Sequence, residues 1–129
     1  MPLPRTVDAR LTLPSWRRVR RKSEFETAYA QGWRLGDGFF GVIVRPNGAA
    51  GARLGLAIGT KVAGNSVERN RIRRVIRESF RVRQLDLPAV DLIVSARARV
   101  RAARNPELRA SLESLWDKVK EQCAAPPPS

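Results

Sequence analysis

The fold is decided by the stretch Lys61-Val-Ala-Gly-Asn-Ser-Val-Glu-Arg-Asn-Arg-Ile-Arg-Arg-Val-Ile-Arg-Glu-Ser-Phe-Arg81. Its apolar residues recur at the spacing of an α-helix, at Ile72, Val75, Ile76 and Phe80. One side of this helix can therefore pack in a core while its other sides face outward. The remaining sequence has to supply a sheet and further helices that cover the apolar side.

The outward positions of this predicted helix carry a dense row of arginines. A guanidinium group is permanently charged and can hold a phosphate with two parallel hydrogen bonds, so such a row suits a polyphosphate partner. A merely solvated face is the alternative, but such faces usually interleave both signs, and only Glu68 and Glu78 oppose the arginines here. The pattern therefore favours nucleic acid as the binding partner of this helix. The candidate binding residues are Arg69, Asn70, Arg71, Arg73, Arg74 and Arg77.

The composition of the whole chain points the same way. Its 129 residues fit one domain, and 25 Lys plus Arg against 12 Asp plus Glu give a net charge of +13. A fold with this much positive charge repels itself unless a polyanion lies nearby, which favours nucleic acid as the partner. An anionic membrane surface is the competing partner, but the arginines do not lie on one long amphipathic helix. No apolar run approaches the length that spans a membrane.

Several kinds of chemistry are excluded by the residues that the chain lacks. It has no histidine, so a histidine base or a histidine metal site is impossible. Cys123 is the single cysteine, which rules out a disulfide framework and a zinc cluster within one chain. The basic residues before position 22 are followed by no apolar segment of the kind a signal peptide needs, and prolines argue against a transit peptide. The expected compartment is the cytoplasm.

Periodicity and turn residues predict a small α+β domain with the order α-β-β-β-α-β-α. The first helix is predicted to begin at a capping box, Ser23-Glu-Phe-Glu26, and to end before Gly32. The arginine helix is predicted to begin at Asn65 or Ser66, with Asn65 as its cap, and to end near Gln84. Strands are predicted around residues 33–35, 39–44, 54–59 and 90–95, and a last helix from Asn105-Pro-Glu107. The predicted divisions are a flexible basic arm at 1–15, the domain at 16–122 and a disordered tail at 123–129.

Gly64-Asn65, followed by the run from Arg69 to Arg81, resembles the signature of the bacterial ribonuclease P protein family. The resemblance covers roughly residues 17–121, and the predicted order of elements is the order of that family. It implies an αβββαβα two-layer sandwich, in which a four-stranded sheet packs with helices, a fold also found in a ribosomal protein domain. It further implies a left-handed βαβ crossover through the arginine helix, although crossovers of this kind are generally right-handed.

The same resemblance implies a function without protein catalytic residues. The family protein binds a large catalytic RNA, one protein to one RNA, in a heterodimeric ribonucleoprotein with no membrane association. The particle is an endoribonuclease that removes the 5′ leader from precursor tRNA, and magnesium ions on the RNA carry the chemistry. The resemblance assigns no catalytic residue and no metal ligand to this chain, and no cofactor held by the protein.

Residues can be carried over where this sequence matches the family pattern. The arginine-rich run supplies the contacts to the catalytic RNA, and Lys61, Gly64 and Asn65 match the turn that enters the helix. Phe25 and Tyr29 match aromatic residues of the cleft for the single-stranded leader, although aromatic residues on an amphipathic helix also commonly belong to a core. The chain departs from the family in having isoleucine at position 43, which is often aromatic. The carried-over RNA contacts are Arg69, Asn70, Arg71, Arg73, Arg74 and Arg77.

Two rival functions remain open from the sequence. A ribosomal or general RNA-binding protein would be equally small and basic, and only the arginine motif in its sheet context argues against it. A nuclease acting alone needs carboxylates clustered around metal ions, but Glu78, Asp86 and Asp91 lie on different predicted elements. A second basic cluster precedes the last helix and is predicted to form a phosphate-facing loop: Arg97, Arg99, Arg101 and Arg104.

Overall fold

The computed structural model of the protein describes residues 15–49 and 51–124. Its helices are α1 (Lys22–Gln31), α2 (Thr60–Ala63), α3 (Ser66–Arg83) and α4 (Asn105–Ala124). Its strands are β1 (Trp33–Gly36), β2 (Phe40–Pro46), β3 (Arg53–Ala57) and β4 (Val90–Ala96), and short 3₁₀ turns cover Ser15–Arg17 and Ala98–Arg101. The predicted arm lies outside the described residues apart from Ser15. Of the predicted tail, Cys123 and Ala124 continue α4 and the rest lies outside.

The four strands form one sheet in the order β1-β2-β4-β3. β1 and β4 both run antiparallel to β2, whereas β3 pairs with β4 in parallel, with Leu54 opposite Leu92. A parallel pair cannot be joined by a tight turn, and here the connection from β3 to β4 runs through α2 and α3. The predicted α+β class, the αβββαβα order and the four-stranded sheet packed with helices are confirmed.

The main core lies between one face of the sheet and the two long helices, α3 and α4. The apolar side of α3 that the sequence predicts is buried, with Ile72, Ile76 and Phe80 fully inaccessible to solvent. Trp116 of α4 packs edge-on against the ring of Phe80, with centroids 6.1 Å apart. The indole N–H of Trp116 donates a hydrogen bond of 2.8 Å to the Ser79 hydroxyl, so this buried polar group is satisfied.

The opposite face of the sheet carries a smaller core beneath α1. Ala28 of α1 packs there on Ile43 and Ile93, and Phe25 lies against the same cluster. Gly55 allows this close approach, because a Cβ at that position would lie 2.7 Å from Ile93 Cδ1 and 3.0 Å from the Phe25 ring. Only part of this sheet face is covered by α1, and shallow grooves remain beside the helix.

The structure corrects several predicted boundaries. The capping box predicted at Ser23 is wrong: α1 begins one residue earlier, and the Glu24 carboxylate accepts a hydrogen bond of 3.4 Å from the Arg21 N–H. A contact from β3 favours this earlier helix start, because Arg53 donates a hydrogen bond of 2.6 Å to the other carboxylate oxygen of Glu24. The third strand ends at Ala57, two residues before the predicted end, and the chain then forms the unpredicted helix α2.

Candidate nucleic-acid interface

The arginine helix has a firmly defined start. The Asn65 side chain accepts a hydrogen bond of 2.8 Å from the Glu68 N–H, which confirms Asn65 as the cap and Ser66 as the first helical residue. Gly64 precedes it with φ of +105°, a conformation that other residues rarely adopt. The arginines from position 69 onward are therefore displayed in fixed directions from a rigid element.

A cleft lies between α3, the edge of β3 and the chain segment that precedes α1. The cavity is about 440 Å³ in volume. Leu54 and Leu56 of β3 and the ring of Phe25 supply apolar surface, and arginines line the opposite side. The lining residues are Arg18, Val19, Arg20, Phe25, Leu54, Leu56, Arg73 and Arg77.

Arg18 and Arg20 were not among the predicted site residues. The Val19 N–H donates a hydrogen bond of 2.8 Å to the Leu54 carbonyl, so this segment adds to the free edge of β3. Alternate side chains of an extended segment then point the same way, and both arginines reach the cleft. The density of basic residues before α1 is visible in the sequence, but the pairing with a strand 35 residues later is not.

Four arginines of α3 concentrate the positive charge, and we call Arg69, Arg73, Arg74 and Arg77 the four-arginine cluster. Burial lowers the pKa of Arg77, and the charges of Arg73, Arg18 and Arg74 lower it further. Arginine nevertheless remains charged at neutral pH. Within residues 15–49 and 51–124, none of the ion pairs involves a member of the cluster. The Nε–H groups of Arg69 and Arg73 are also buried without an acceptor among these residues.

The arginines at the C-terminal end of α3 have carboxylate partners within the protein. Arg83 forms ion pairs of 2.5 Å with Glu113 and 2.8 Å with Asp117, both on α4. Burial acts to lower the pKa of Arg83, but the hydrogen bonds to Asp117 and Glu113 outweigh it and raise the pKa. Arg81 likewise pairs with Glu78 at 3.0 Å. Arg81 and Arg83 are thus paired with protein carboxylates, as Arg71 is with Glu68, whereas the ion pairs of the described residues include no member of the four-arginine cluster.

Arg71 lies within the predicted binding motif but is directed toward the protein. Its Nε donates to the Glu68 carboxylate at 2.9 Å, and its Nη1 donates to the Asn105 side chain at 2.7 Å. Its Nη2 donates to the Val100 carbonyl at 3.3 Å. The side chain therefore ties the beginning of α3 to the beginning of α4.

The other predicted contacts lie on more than one side of the arginine helix. Arg73 and Arg77 face the cleft, whereas Asn70 and Arg74 line a separate groove between α3 and α4. Lys61 lies on α2 with its side chain exposed. The structure thus brings Arg73 and Arg77 together at the cleft and places Asn70, Arg74 and Lys61 outside it.

The two predicted aromatic residues line different depressions. Phe25 is half-buried and contributes one edge to the cleft with Arg73 and Arg77. Tyr29, one turn later, is 44% exposed and borders a shallow groove of about 270 Å³ on the open part of the sheet. Buried Ile43 lies in the floor of that groove, and Arg97 lines it as well.

The second basic cluster is partly occupied with contacts inside the protein. Arg101 donates a hydrogen bond of 2.7 Å to the Val62 carbonyl and a second one to the Lys61 carbonyl, at the end of α2. The guanidinium of Arg99 lies 5.3 Å from the centre of the Phe39 ring. For Arg101, a purely phosphate-facing role is therefore wrong, because the guanidinium caps a helix end.

The three carboxylates that a nuclease acting alone would need lie on different parts of the fold, and each already has a partner in the protein. Asp91 is buried and accepts a hydrogen bond of 2.9 Å from the Asn47 amide, and Asp86 pairs with Lys120 at 2.9 Å. Glu78 pairs with Arg81. In the described part of the chain, no group of three or more His, Cys, Asp or Glu residues could hold a metal ion. No helix among the described residues is long and apolar enough to cross a membrane.

Comparison with known proteins extends over nearly the whole chain. The family model described as Ribonuclease P matches residues 13–120. The Ribonuclease P protein component of Thioalkalivibrio sulfidiphilus is 38% identical over 109 residues, covering 84% of this chain and 91% of its own. That of Escherichia coli is 37% identical over 107 residues, covering 83% and 90%.

Two solved structures have the same fold. The RNase P protein of Staphylococcus aureus superposes with a TM-score of 0.75 at 32% identity, covering 81% of this chain and 97% of that one. The protein of Thermotoga maritima gives 0.72 at 27% identity, covering 79% and 96%. Sequence and fold agree over the sheet, the arginine helix and α4, and the chain belongs to the ribonuclease P protein family.

Proposed function

We propose that this chain is the protein subunit of ribonuclease P. In this proposal it binds the catalytic RNA and the 5′ leader of precursor tRNA, one protein to one RNA, and assists endonucleolytic removal of the leader. Its family membership supports the proposal, and the observation that carries it is the four-arginine cluster on α3, two members of which, Arg73 and Arg77, line the cleft. Four like charges without protein carboxylates opposite them suit an external polyanion, and RNA supplies one.

The cleft at Phe25 is suited to a single strand rather than to a duplex. Its apolar wall of Leu54, Leu56 and the Phe25 edge lies across from Arg73 and Arg77. A base can lie against the apolar wall while the phosphate that follows it meets the guanidinium groups. Stacking is tolerant of sequence because every base has a π-face, so this arrangement can hold leaders of many sequences.

In this division of labour the protein holds and positions, and the RNA cuts. Magnesium ions bound to RNA would supply the activated water and neutralise the charge that develops at the phosphate. No residue of this chain is assigned to these ions, which the RNA would hold. The contribution of the chain is the binding energy that fixes the leader and the RNA relative to each other.

Reconstitution tests the proposal. Catalytic RNA, precursor tRNA and this protein are combined at low magnesium, and the rate at which leader is released is measured with and without the protein. We expect the protein to raise that rate and Arg73→Ala to reduce the effect, because one cleft-lining charge is lost. Lys118→Ala removes an exposed charge from α4 and serves as the control. Failure of the wild-type protein to stimulate cleavage at any salt concentration would refute the proposal.

A further inference from the structure

The three tryptophans of the chain, all within the described residues, differ in their surroundings. Trp116 is fully buried in the main core, and Trp33 packs partly buried against that core. Trp16 belongs to neither core: it lies in the 3₁₀ turn Ser15–Arg17 that precedes α1, and it is 46% exposed. Its ring therefore contributes little to the packing that holds the sheet and the helices together.

The Trp16 ring rests on a buried cation. The central guanidinium carbon of Arg17 lies 4.3 Å from the centre of the ring. Arg17 is itself anchored, because its Nη1 donates a hydrogen bond of 3.0 Å to the Ala52 carbonyl and only 8% of the residue is exposed. Gly51 leaves room for this guanidinium group, since a Cβ there would lie 3.0 Å from both terminal nitrogens. One face of the indole is thus held by the protein, which leaves the other face for a ligand.

Trp16 lies just beyond one end of the cleft. The segment before α1 adds to the edge of β3 in parallel, with Arg18 opposite Leu54, and both of these residues line the cleft. Arg17 is bonded to Ala52, two residues before Leu54. The Trp16 ring that stacks on Arg17 therefore lies near the beginning of β3, next to the cleft but outside its lining residues.

We propose that Trp16 is a stacking platform for one base of the 5′ leader, at the point where the leader leaves the cleft. The inference rests on the proposed function, which supplies the leader, and adds a base-binding site outside the cleft. Nucleobases of any identity stack on aromatic side chains. Because Arg17 already holds the ring in one orientation, little side-chain entropy is lost when a base covers the free face.

The surroundings of Trp16 favour a nucleotide over a protein ligand. A docking surface for a protein is a contiguous apolar patch, but the chain continues from Trp16 through Arg17, Arg18, Arg20 and Arg21. Arg20 and Arg21 are exposed. An aromatic face beside several guanidinium groups matches the two parts of a nucleotide, a flat base and a phosphate.

The test combines substitution of Trp16 with abasic nucleotides. Dissociation constants are measured for single-stranded leader oligonucleotides in which one nucleotide at a time is replaced by an abasic one. We expect Trp16→Ala to weaken binding of the intact oligonucleotide about tenfold, with an unchanged salt slope because no phosphate contact is lost. At one position, the abasic nucleotide should weaken binding by the wild type by the same factor and leave binding by Trp16→Ala unaffected. Leu85→Ala, which removes another exposed apolar side chain, should match the wild type.

Two further variants identify the contact as stacking. Trp16→Phe keeps an aromatic ring and should recover most of the affinity, whereas Trp16→Leu keeps only apolar volume and should not. Oligonucleotide binding should quench the tryptophan emission of the wild type. The quenching should be absent from Trp16→Phe, because the remaining tryptophans, Trp33 and Trp116, belong to the core side of the sheet.

The outcomes separate the stacking platform from the proposed function. If every abasic position weakens Trp16→Ala as much as it weakens the wild type, no base stacks on Trp16 and the platform is refuted, whatever the affinity of Trp16→Ala itself. Equal recovery by Trp16→Leu and Trp16→Phe also refutes it, since the contact would then be merely apolar. In both cases the proposed function stands if Arg73→Ala weakens binding. If the wild-type protein binds no leader oligonucleotide, leader binding in the proposed function fails and the platform fails with it.

Discussion

Replacement of Arg71 by alanine should destabilise the protein, although this arginine lies in the middle of the predicted RNA-binding motif. The substitution removes three hydrogen bonds from the guanidinium group, to Glu68, Asn105 and the Val100 carbonyl. The side chain is 26% exposed, so these bonds are partly shielded from water. Arg69, two residues earlier, has no ion pair among the described residues and provides the contrast.

The size of the effect follows from the three contacts. The pair with Glu68 is of the i,i+3 kind on a helix and contributes about 0.3–0.5 kcal/mol. The charge-assisted bond to Asn105 contributes about 1.5 kcal/mol, and the longer bond to Val100 about 0.5 kcal/mol. We therefore expect a loss of about 2–3 kcal/mol in the free energy of unfolding, or ~10 °C in melting temperature for a domain of this size.

The assay is urea unfolding of Arg71→Ala, Arg71→Lys and Arg69→Ala beside the wild type, combined with RNA titration. Lysine keeps the charge but lacks the planar fork that reaches three acceptors, so it should recover less than half of the lost stability. Arg69→Ala should unfold like the wild type and lose RNA affinity. If Arg71→Ala unfolds like the wild type and loses as much RNA affinity as Arg69→Ala, then Arg71 is an RNA contact and the argument from its three bonds is refuted.

Three further predictions concern local features of the fold. Asn65→Ala should cost about 1 kcal/mol in urea unfolding, because the Glu68 N–H loses its acceptor, whereas Asn65→Asp should keep most of it. Gly55→Ala should cost about 1–3 kcal/mol, since the new methyl group would lie 2.7 Å from Ile93 Cδ1, and a melting curve equal to that of the wild type would contradict this packing. The hydrogen bond from Arg53 lowers the pKa of Glu24 below its ordinary value of 4.5, so the stability it confers should be present above pH 4.5 and fall as the pH drops through the lower folded pKa. Unfolding midpoints at pH 6, 4 and 3 should show a smaller decrease for Glu24→Gln than for the wild type.

Features that depend on neighbouring residues are predicted well from the sequence. The cap of α3 needs only Asn65 and a backbone N–H three residues later, and the buried side of the helix needs only its apolar period. The last helix begins at the predicted Asn105-Pro-Glu107 segment, but Asn105 is its first residue and not its cap: the Glu107 carboxylate accepts a hydrogen bond of 3.0 Å from the Arg104 N–H, and the Asn105 side chain bonds Arg71. Sequence patterns of this kind act over one or two helical turns, and these helices begin in the structure close to where the sequence predicts.

Features that depend on distant partners are missed. The start of α1 at Lys22 places the Glu24 carboxylate within reach of Arg53, 29 residues later, and the sequence gives no local sign of this contact. The roles of Arg71 and Arg101 differ from those of other arginines only because carbonyl groups 29 and 39 residues away lie within reach. The presence of arginines in the sequence therefore predicts a basic surface. The fold determines which guanidinium groups point outward on that surface and which bond to the protein itself.

The location of the acidic residues, more than that of the arginines, defines the candidate interface. Carboxylates on α4 compensate Arg83, and Glu24 compensates Arg53, while the four-arginine cluster of α3 takes part in none of the ion pairs of the described residues. Like charges at this spacing oppose folding, and burial of Arg77 among them adds to the cost, as its lowered pKa indicates. When a polyanion binds, the same arginine charges are attracted to it and stabilise the complex. Stability of the free protein should therefore rise with salt, which screens the repulsion, while affinity for RNA falls, and both trends arise from the same cluster.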